Sequence, residues 1–107
     1  MTAIATGTMT FPNAFTPSNS GPGDGIYQPG SYDNNIFHPM SSGVEEYHLQ
    51  IFNRWGELLF ETNDIHQGWD GYYRGQAAKQ DVYVWKAHAK FSSGDEKTQT
   101  GDVTLLR

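Results

Sequence analysis

Residues 53–71, which read NRWGELLFETNDIHQGWDG, decide how the chain folds. The residues immediately before them, 47–52, alternate apolar and polar side chains, which is the pattern of a strand with one buried face. Gly56 supplies the positive φ that a tight turn often needs, and a second apolar run follows it at residues 58–60. The segment therefore predicts an antiparallel β-hairpin.

A second turn ends this segment at Trp69, Asp70 and Gly71, because Asp-Gly is a dipeptide that favours turns. Two interpretations of its aspartate are open. Asp70 either pairs with Arg54 and ties the two turns together, or accepts a backbone N–H bond within its own turn. In both interpretations the Trp-Asp-Gly residues have a structural role.

The rest of the chain also reads as strands and turns. Residues 9–12 and 36–39 predict two short strands that each end at a proline, and the loop at residues 18–35 between them is rich in Gly, Pro, Asn, Asp and Ser. Residues 82–91 predict the longest strand, and residues 98–106 predict a final strand antiparallel to it. No helical period of useful length occurs, so the predicted fold is an all-β antiparallel sandwich of about seven strands.

The longest predicted strand has one apolar face and one polar face. Tyr83 and Trp85 lie on the apolar face, which predicts a structural role for both in the core, whereas Lys86 and His88 lie on the other face. The aromatic fraction of 14% is high beside a hydrophobic fraction of 36%. We therefore expect a few large rings to fill the core.

The composition limits the possible classes of function. A chain of 107 residues holds one domain with a modest core; residues 1–8 are predicted to be a linker or an expression remnant, and residues 9–107 the domain. The net charge of −5 argues against nucleic acid as a partner, because such binders carry a basic stripe. There is no cysteine for a disulfide or a thiolate metal site, and no segment has the apolar length of a transmembrane helix.

The sequence contains no catalytic motif: it has no Gly-x-Ser-x-Gly elbow, phosphate-binding loop or His-Glu-x-x-His pair. We therefore expect no enzyme activity and no catalytic residues. Asp24 and Asp33, with Asn34 and Asn35, offer oxygens of the kind that calcium binds, but they lack the alternate-position spacing of a calcium loop. We expect no metal and no cofactor, with calcium at Asp24 and Asp33 as the less favoured alternative.

Several motifs follow one another along the chain: FPNAFTP at 11–17, GDG at 23–25, IFNRWG at 51–56, WDG at 69–71, DVYVW at 81–85 and GDVTLLR at 101–107. The series resembles the gliding-motility-associated, type B C-terminal domain of secreted Bacteroidota proteins, over residues 9–107. One motif departs from the family, because residues 18–22 separate FTP from the Gly-Asp-Gly loop and the loop that follows is longer.

The resemblance implies an immunoglobulin-like β-sandwich at the C-terminus of a larger exported protein. Such a domain directs its passenger through the type IX secretion system, from the periplasm across the outer membrane, to the cell surface or the medium. The resemblance also implies two partners, the type IX translocon and a PorP/SprF-like outer-membrane protein.

We expect these partners to bind the hairpin tip and the last strand, because a hairpin tip and a free C-terminus are accessible and an exposed edge strand accepts strand addition. The predicted partner-binding residues are Arg54, Trp55, Gly56, Val103, Thr104, Leu105, Leu106 and Arg107.

A carbohydrate-binding or adhesion module is the alternative function, since β-sandwiches with aromatic loops often bind glycans. The aromatic residues that favour it are Tyr27, Tyr32, Trp55, Tyr72 and Tyr73. A spacer between larger modules fits less well, because the last predicted strand ends close to Arg107.

Overall fold

The computed structural model describes residues 7–18, 21, 23, 25–27 and 35–107. These residues form strands and no helix, as the sequence predicts. The strands are β1 (Thr8–Thr10), β2 (Ala14–Phe15), β3 (Met40–Ser42), β4 (Val44–Phe52), β5 (Leu58–Thr62), β6 (Tyr72–Tyr73), β7 (Gln76–Ala77), β8 (Asp81–Phe91) and β9 (Glu96–Leu105). They outnumber the predicted seven because β2, β6 and β7 have two residues each, which is too short for an alternating pattern.

Five strands form the main sheet, in the order β2-β9-β8-β4-β5. The predicted hairpin is its β4–β5 pair, in which Ile51 pairs with Phe60 and, after a register shift, Phe52 pairs with Leu58. Gly56 in the turn has a φ of 85°, as predicted. All neighbours are antiparallel except β2, which runs parallel to β9.

A second layer packs on this sheet and is built from short pairings. β1 pairs with β3, β6 pairs with β7, and Phe37 forms a single bridge with Trp69. The predicted strand at residues 36–39 is therefore wrong, since only this bridge forms there and the strand begins at Met40. Pro39 has no N–H to donate to a ladder, which explains why the pairing starts after it.

The core lies between the two layers and consists largely of rings. β4, β8 and β9 bury the alternating residues that the sequence predicts, among them Leu49, Tyr83 and Trp85. The second layer buries Trp69, which is fully covered and whose indole N–H donates to the Tyr72 carbonyl over 3.1 Å. Ring contacts join the layers, the shortest being Phe11 on Trp85 at 4.0 Å between centroids. The resulting arrangement is consistent with the predicted immunoglobulin-like sandwich.

The opposite face of the main sheet is solvent-exposed; it is polar around His48 and His88, and it carries the exposed Val82 and Val84 nearer the start of β8. His48 and His88 face each other across β4 and β8, and each has a carboxylate neighbour. His48 lies 2.6 Å from Glu61, and His88 lies 3.1 Å from Glu96. Both histidines therefore lie on the polar side of their strands, as the alternation predicts.

Candidate partner-binding site

The tip of the β4–β5 hairpin is organised by the side chain of Asn53. Its Oδ1 accepts the N–H groups of Trp55 and Glu57, each over 2.9 Å. The Gly56 N–H donates to the Asn53 carbonyl over 3.0 Å. These bonds close the turn locally, and they leave the Trp55 residue 81% exposed. The Asn-Arg-Trp-Gly-Glu sequence thus builds a rigid tip with an indole at its end.

Arg54 anchors this tip to the main sheet through Asp81, the first residue of β8. The Arg54 Nη2 and the Asp81 Oδ1 are 2.7 Å apart. The Asp81 carboxylate also accepts the Val82 N–H over 2.8 Å. The bond from Val82 and the nearby Arg54 charge together hold the pKa of Asp81 below its ordinary value.

The alternative pair between Arg54 and Asp70 is therefore wrong, and the interpretation in which Asp70 caps its own turn is confirmed. The Asp70 Oδ1 accepts the Tyr72 N–H over 3.0 Å. Its Oδ2 accepts the N–H of Gly23 over 2.9 Å. Asp70 thus joins the Trp-Asp-Gly turn to the Gly-Asp-Gly loop, since both of its oxygens are already used.

A groove of about 450 Å³ lies between the hairpin tip, the β6–β7 hairpin and the start of β8. Trp55 and Tyr73 supply aromatic surface to it, and Arg54, Arg74 and Lys79 supply positive charge. It is an open groove on a surface where both hairpins end, and its mixture of rings and charged groups is typical of a binding site.

The acids of this groove are already engaged within the domain. Glu57 accepts a hydrogen bond from the Asn53 amide over 3.0 Å and one from the Tyr73 hydroxyl over 3.2 Å. Asp81 is held by Arg54. Arg74, by contrast, lies 5.1 Å from the centre of the Tyr73 ring and is exposed. Three cations, Arg54, Arg74 and Lys79, against two carboxylates, Glu57 and Asp81, leave the groove with one positive charge in excess.

The backbone at Arg74 is strained. Its φ is 53°, in the left-handed region that a non-glycine residue rarely occupies. Sequence reasoning missed Arg74, Lys79 and Asp81 as site residues, and it named Tyr73 only for the alternative glycan site. The available signal was the Arg-Gly pair at residues 74–75, which is typical of a turn that exposes a cation.

The end of the last strand, by contrast, is covered. Val103 and Leu105 are fully buried. The Thr104 N–H donates to the Asn13 carbonyl over 2.8 Å, and the Leu106 N–H donates to the Phe15 carbonyl over 2.9 Å. The side chains of Val103 and Leu105 therefore support the fold, and direct contact with a partner is left to the residues that follow them.

Arg107 and the hairpin tip lie at the same end of the main sheet. Leu105 pairs with Asp81, the residue that binds Arg54. The Arg107 guanidinium donates to the Ala78 carbonyl over 2.8 Å and lies 5.8 Å from the centre of the Tyr72 ring. The fold thus brings together the two predicted contact regions, the hairpin tip and the end of the chain.

The aromatic residues of the alternative glycan site are not gathered in one place. The Tyr27 ring stacks on His38 with 3.7 Å between centroids, its hydroxyl donates to the Ile65 carbonyl, and burial raises the pKa of Tyr27 to about 12. The Tyr72 hydroxyl donates to the Ser18 carbonyl over 2.9 Å. Only Trp55 and Tyr73 of this set line the groove, and Tyr32 lies outside the described residues.

Within the described part of the chain, no three His, Asp or Glu side chains are grouped closely enough to hold a metal ion. The less favoured calcium prediction names Asp24, Asp33, Asn34 and Asn35; the first three lie outside the described residues, and Asn35 is exposed. Nor do the described residues include a helix long and apolar enough to cross a membrane.

The comparisons with known proteins agree with the resemblance predicted from the motifs. No curated protein and no solved structure matches the chain. The family model of the CHU_C type IX secretion signal domain, however, matches residues 9–105. This match extends from within β1 to the last residue of β9 and includes the hairpin tip and the groove. The chain therefore belongs to the CHU_C family of type IX secretion signal domains.

Proposed function

We propose that this domain directs a larger exported protein through the type IX secretion system to the cell surface or the medium, without catalysing a reaction itself. The observation that carries the proposal is the family match over residues 9–105.

The partner that we propose is a PorP/SprF-like outer-membrane protein of the type IX translocon, and it contacts the end of the sheet where the hairpin tip and Arg107 lie. Trp55 is the main anchor, because a large, exposed and rigidly held ring gains most from burial at an interface. Arg54 and Gly56 contribute by holding that ring in place, and residues 103–106 by holding the end of the chain.

Fusion to a reporter tests this function directly. Residues 9–107 are placed behind a periplasmic reporter in a type IX-competent host, and the reporter is expected outside the cell. The matched control is the same fusion in a host that lacks the translocon, where the reporter is expected to stay in the periplasm. A folded fusion that stays in the periplasm of the competent host would refute the sorting role.

Glycan binding is the second candidate, and the exposed Trp55 beside Tyr73 favours it. If the groove binds a polysaccharide, the fluorescence of Trp55 changes on titration and the change disappears in a Trp55→Ala variant. A pull-down with insoluble polysaccharides that retains no wild-type domain sets this candidate aside.

A further inference from the structure

Among the described strands, one edge of the main sheet is unpaired over most of its length. β9 pairs with β8 along all of Glu96–Leu105, from Lys90 opposite Glu96 to Asp81 opposite Leu105. On its other side β2 covers only Thr104 and Leu105. Among the described residues, no strand lies beside residues 96–102.

The backbone groups of this open segment point away from the sheet. The N–H groups of Thr104 and Leu106 donate to β2 and the residue before it, so they mark the outward direction. Alternate residues of a strand point their N–H and C=O groups to the same side. The N–H and C=O groups of Thr98, Thr100 and Asp102 therefore also point outward, to the side where a further strand would pair.

The segment lacks two of the devices that protect an edge, prolines and bulges, and its only protection of this kind is the charge of Glu96, Lys97 and Asp102. Its sequence, EKTQTGD, contains no proline, and the β8–β9 register runs without a shift. The opposite edge differs, because β5 has five residues and its register against β4 shifts between Ile51 and Phe52. Natural sheets blunt an exposed edge with prolines, bulges or short strands. The edge of β9 is thus suited to pairing.

We infer that residues 96–102 bind an extended segment of the export machinery by β-strand addition, beside the place that β2 already occupies. This inference rests on the proposed sorting function. It also changes the recognition surface expected on the last strand, since residues 103–105 are covered and residues 96–102 are open.

The exposed side chains define the chemistry of the incoming segment. Those that alternate on the outer face of this edge are Glu96, Thr98, Thr100 and Asp102, two hydroxyls between two carboxylates. A complementary segment carries β-branched or hydroxyl side chains in its middle and a Lys or Arg opposite Asp102. A second copy of the domain fits poorly, because antiparallel pairing centred on Gln99 places Glu96 opposite Asp102 twice.

A proline at position 100 tests the inference. Thr100→Pro removes an N–H that points away from β8 and that no strand in the described part of the chain pairs with, so the edge strand is expected to tolerate it. The same change removes a bond to an added strand and places a ring in its path. Reporter export is expected to fall roughly tenfold for Thr100→Pro and to stay at the wild-type level for the matched Thr100→Ala.

Thermal unfolding of both variants separates loss of binding from loss of folding. If Thr100→Pro does not fold, Asp102→Lys decides instead, since it keeps every backbone group and reverses the charge that faces the segment. A folded Thr100→Pro, or failing that a folded Asp102→Lys, that is exported like the wild type overturns the inference. Retention of the wild-type fusion itself refutes the sorting function, and the inference with it, so the two failures are distinguishable.

Amide hydrogen exchange tests the open edge without any partner. In the isolated domain the amides of Thr98, Thr100 and Asp102 are expected to exchange roughly 100-fold faster than those of Gln99 and Val103, which point to β8. Equal protection of both sets means that the edge is covered and overturns the inference. Sedimentation at rising protein concentration is expected to show a monomer. If the wild type forms a dimer and Thr100→Pro dissociates that dimer, the edge binds a second copy of the domain, and the inference is overturned.

Discussion

The Arg54 guanidinium lies 2.7 Å from the carboxylate of Asp81, and this contact joins the tip of the β4–β5 hairpin to the first residue of β8. It links residues that are far apart in sequence and holds one wall of the groove against another. Because Leu105 pairs with Asp81, the contact also places the hairpin tip beside the end of β9.

This contact predicts a dependence of stability on pH. The pKa of Asp81 is below its ordinary value of 3.8, so the carboxylate stabilises the fold above that value and loses its effect as pH falls through the lower, folded-state pKa. Asp81→Asn is expected to unfold at a lower temperature than the wild type at neutral pH, and the difference is expected to shrink below about pH 4. Thermal unfolding of both proteins from neutral to acid pH measures this difference in unfolding temperature.

The control for that experiment is Asp102→Asn, which makes the same change of charge at an exposed residue of β9. Its unfolding temperature is expected to follow the wild type across the range. A difference between Asp81→Asn and the wild type that stays constant down to the most acid pH contradicts the prediction.

Trp55 and Trp69 are expected to separate recognition from folding. Trp55→Ala is expected to leave the free energy of unfolding within about 0.5 kcal/mol of the wild type, because the residue is 81% exposed, yet to reduce export. Trp69→Ala is expected to lose about 3–5 kcal/mol, because its ring is fully buried. Chemical denaturation and the reporter assay on both variants measure the two effects. Normal export of Trp55→Ala would remove this ring from the proposed contact.

Two glycines with similar backbone angles are expected to respond differently to alanine. Gly56 has a φ of 85° and open space where a Cβ would stand, so Gly56→Ala carries backbone strain alone, about 1 kcal/mol. Gly71 has a φ of 81°, and a Cβ there would collide with the Pro17 ring. Gly71→Ala is expected to cost about 2–4 kcal/mol. Denaturant unfolding measures both losses of free energy. If the two variants lose the same amount, the Pro17 ring moves aside without cost and the prediction is wrong.

Arg74→Gly is expected to leave stability unchanged or slightly increased, because glycine adopts a φ of 53° without strain. The same change removes one of the three cations of the groove, so binding of an acidic partner segment is expected to weaken. Thermal unfolding together with reporter export tests the pair of effects, with Lys86→Ala as the control for loss of an exposed cation outside the groove and the open edge. A clear drop in unfolding temperature for Arg74→Gly would show that its side chain supports the fold.

Local patterns determined much of the fold. The alternation in residues 47–52 and 82–91 predicts which faces of β4 and β8 are buried, because side chains of a strand alternate between its faces. Gly56 and the Asp-Gly pair at residues 70–71 predict both turns, because turn conformation depends on a few adjacent residues. The order of the motifs also predicts the family, which the match over residues 9–105 confirms.

The candidate site was only partly predictable. Arg54, Trp55 and Gly56 follow from the exposed hairpin tip. Tyr73 and Arg74 come from the separate β6–β7 hairpin, and Lys79 from the segment after it. No local pattern relates these two segments. Their contact depends on the path of the chain between them, so only the tertiary structure shows it.

The sequence by itself therefore determined the strand class, the buried faces, the turns and the family. Only the tertiary structure decided that Arg54 binds Asp81, that β2 covers the end of β9, and that residues 96–102 remain an open edge among the described strands. The physical reason is the range of the interactions. Alternation and turn chemistry act between neighbours in the chain, whereas strand order and ion pairing depend on which distant segments the core brings together.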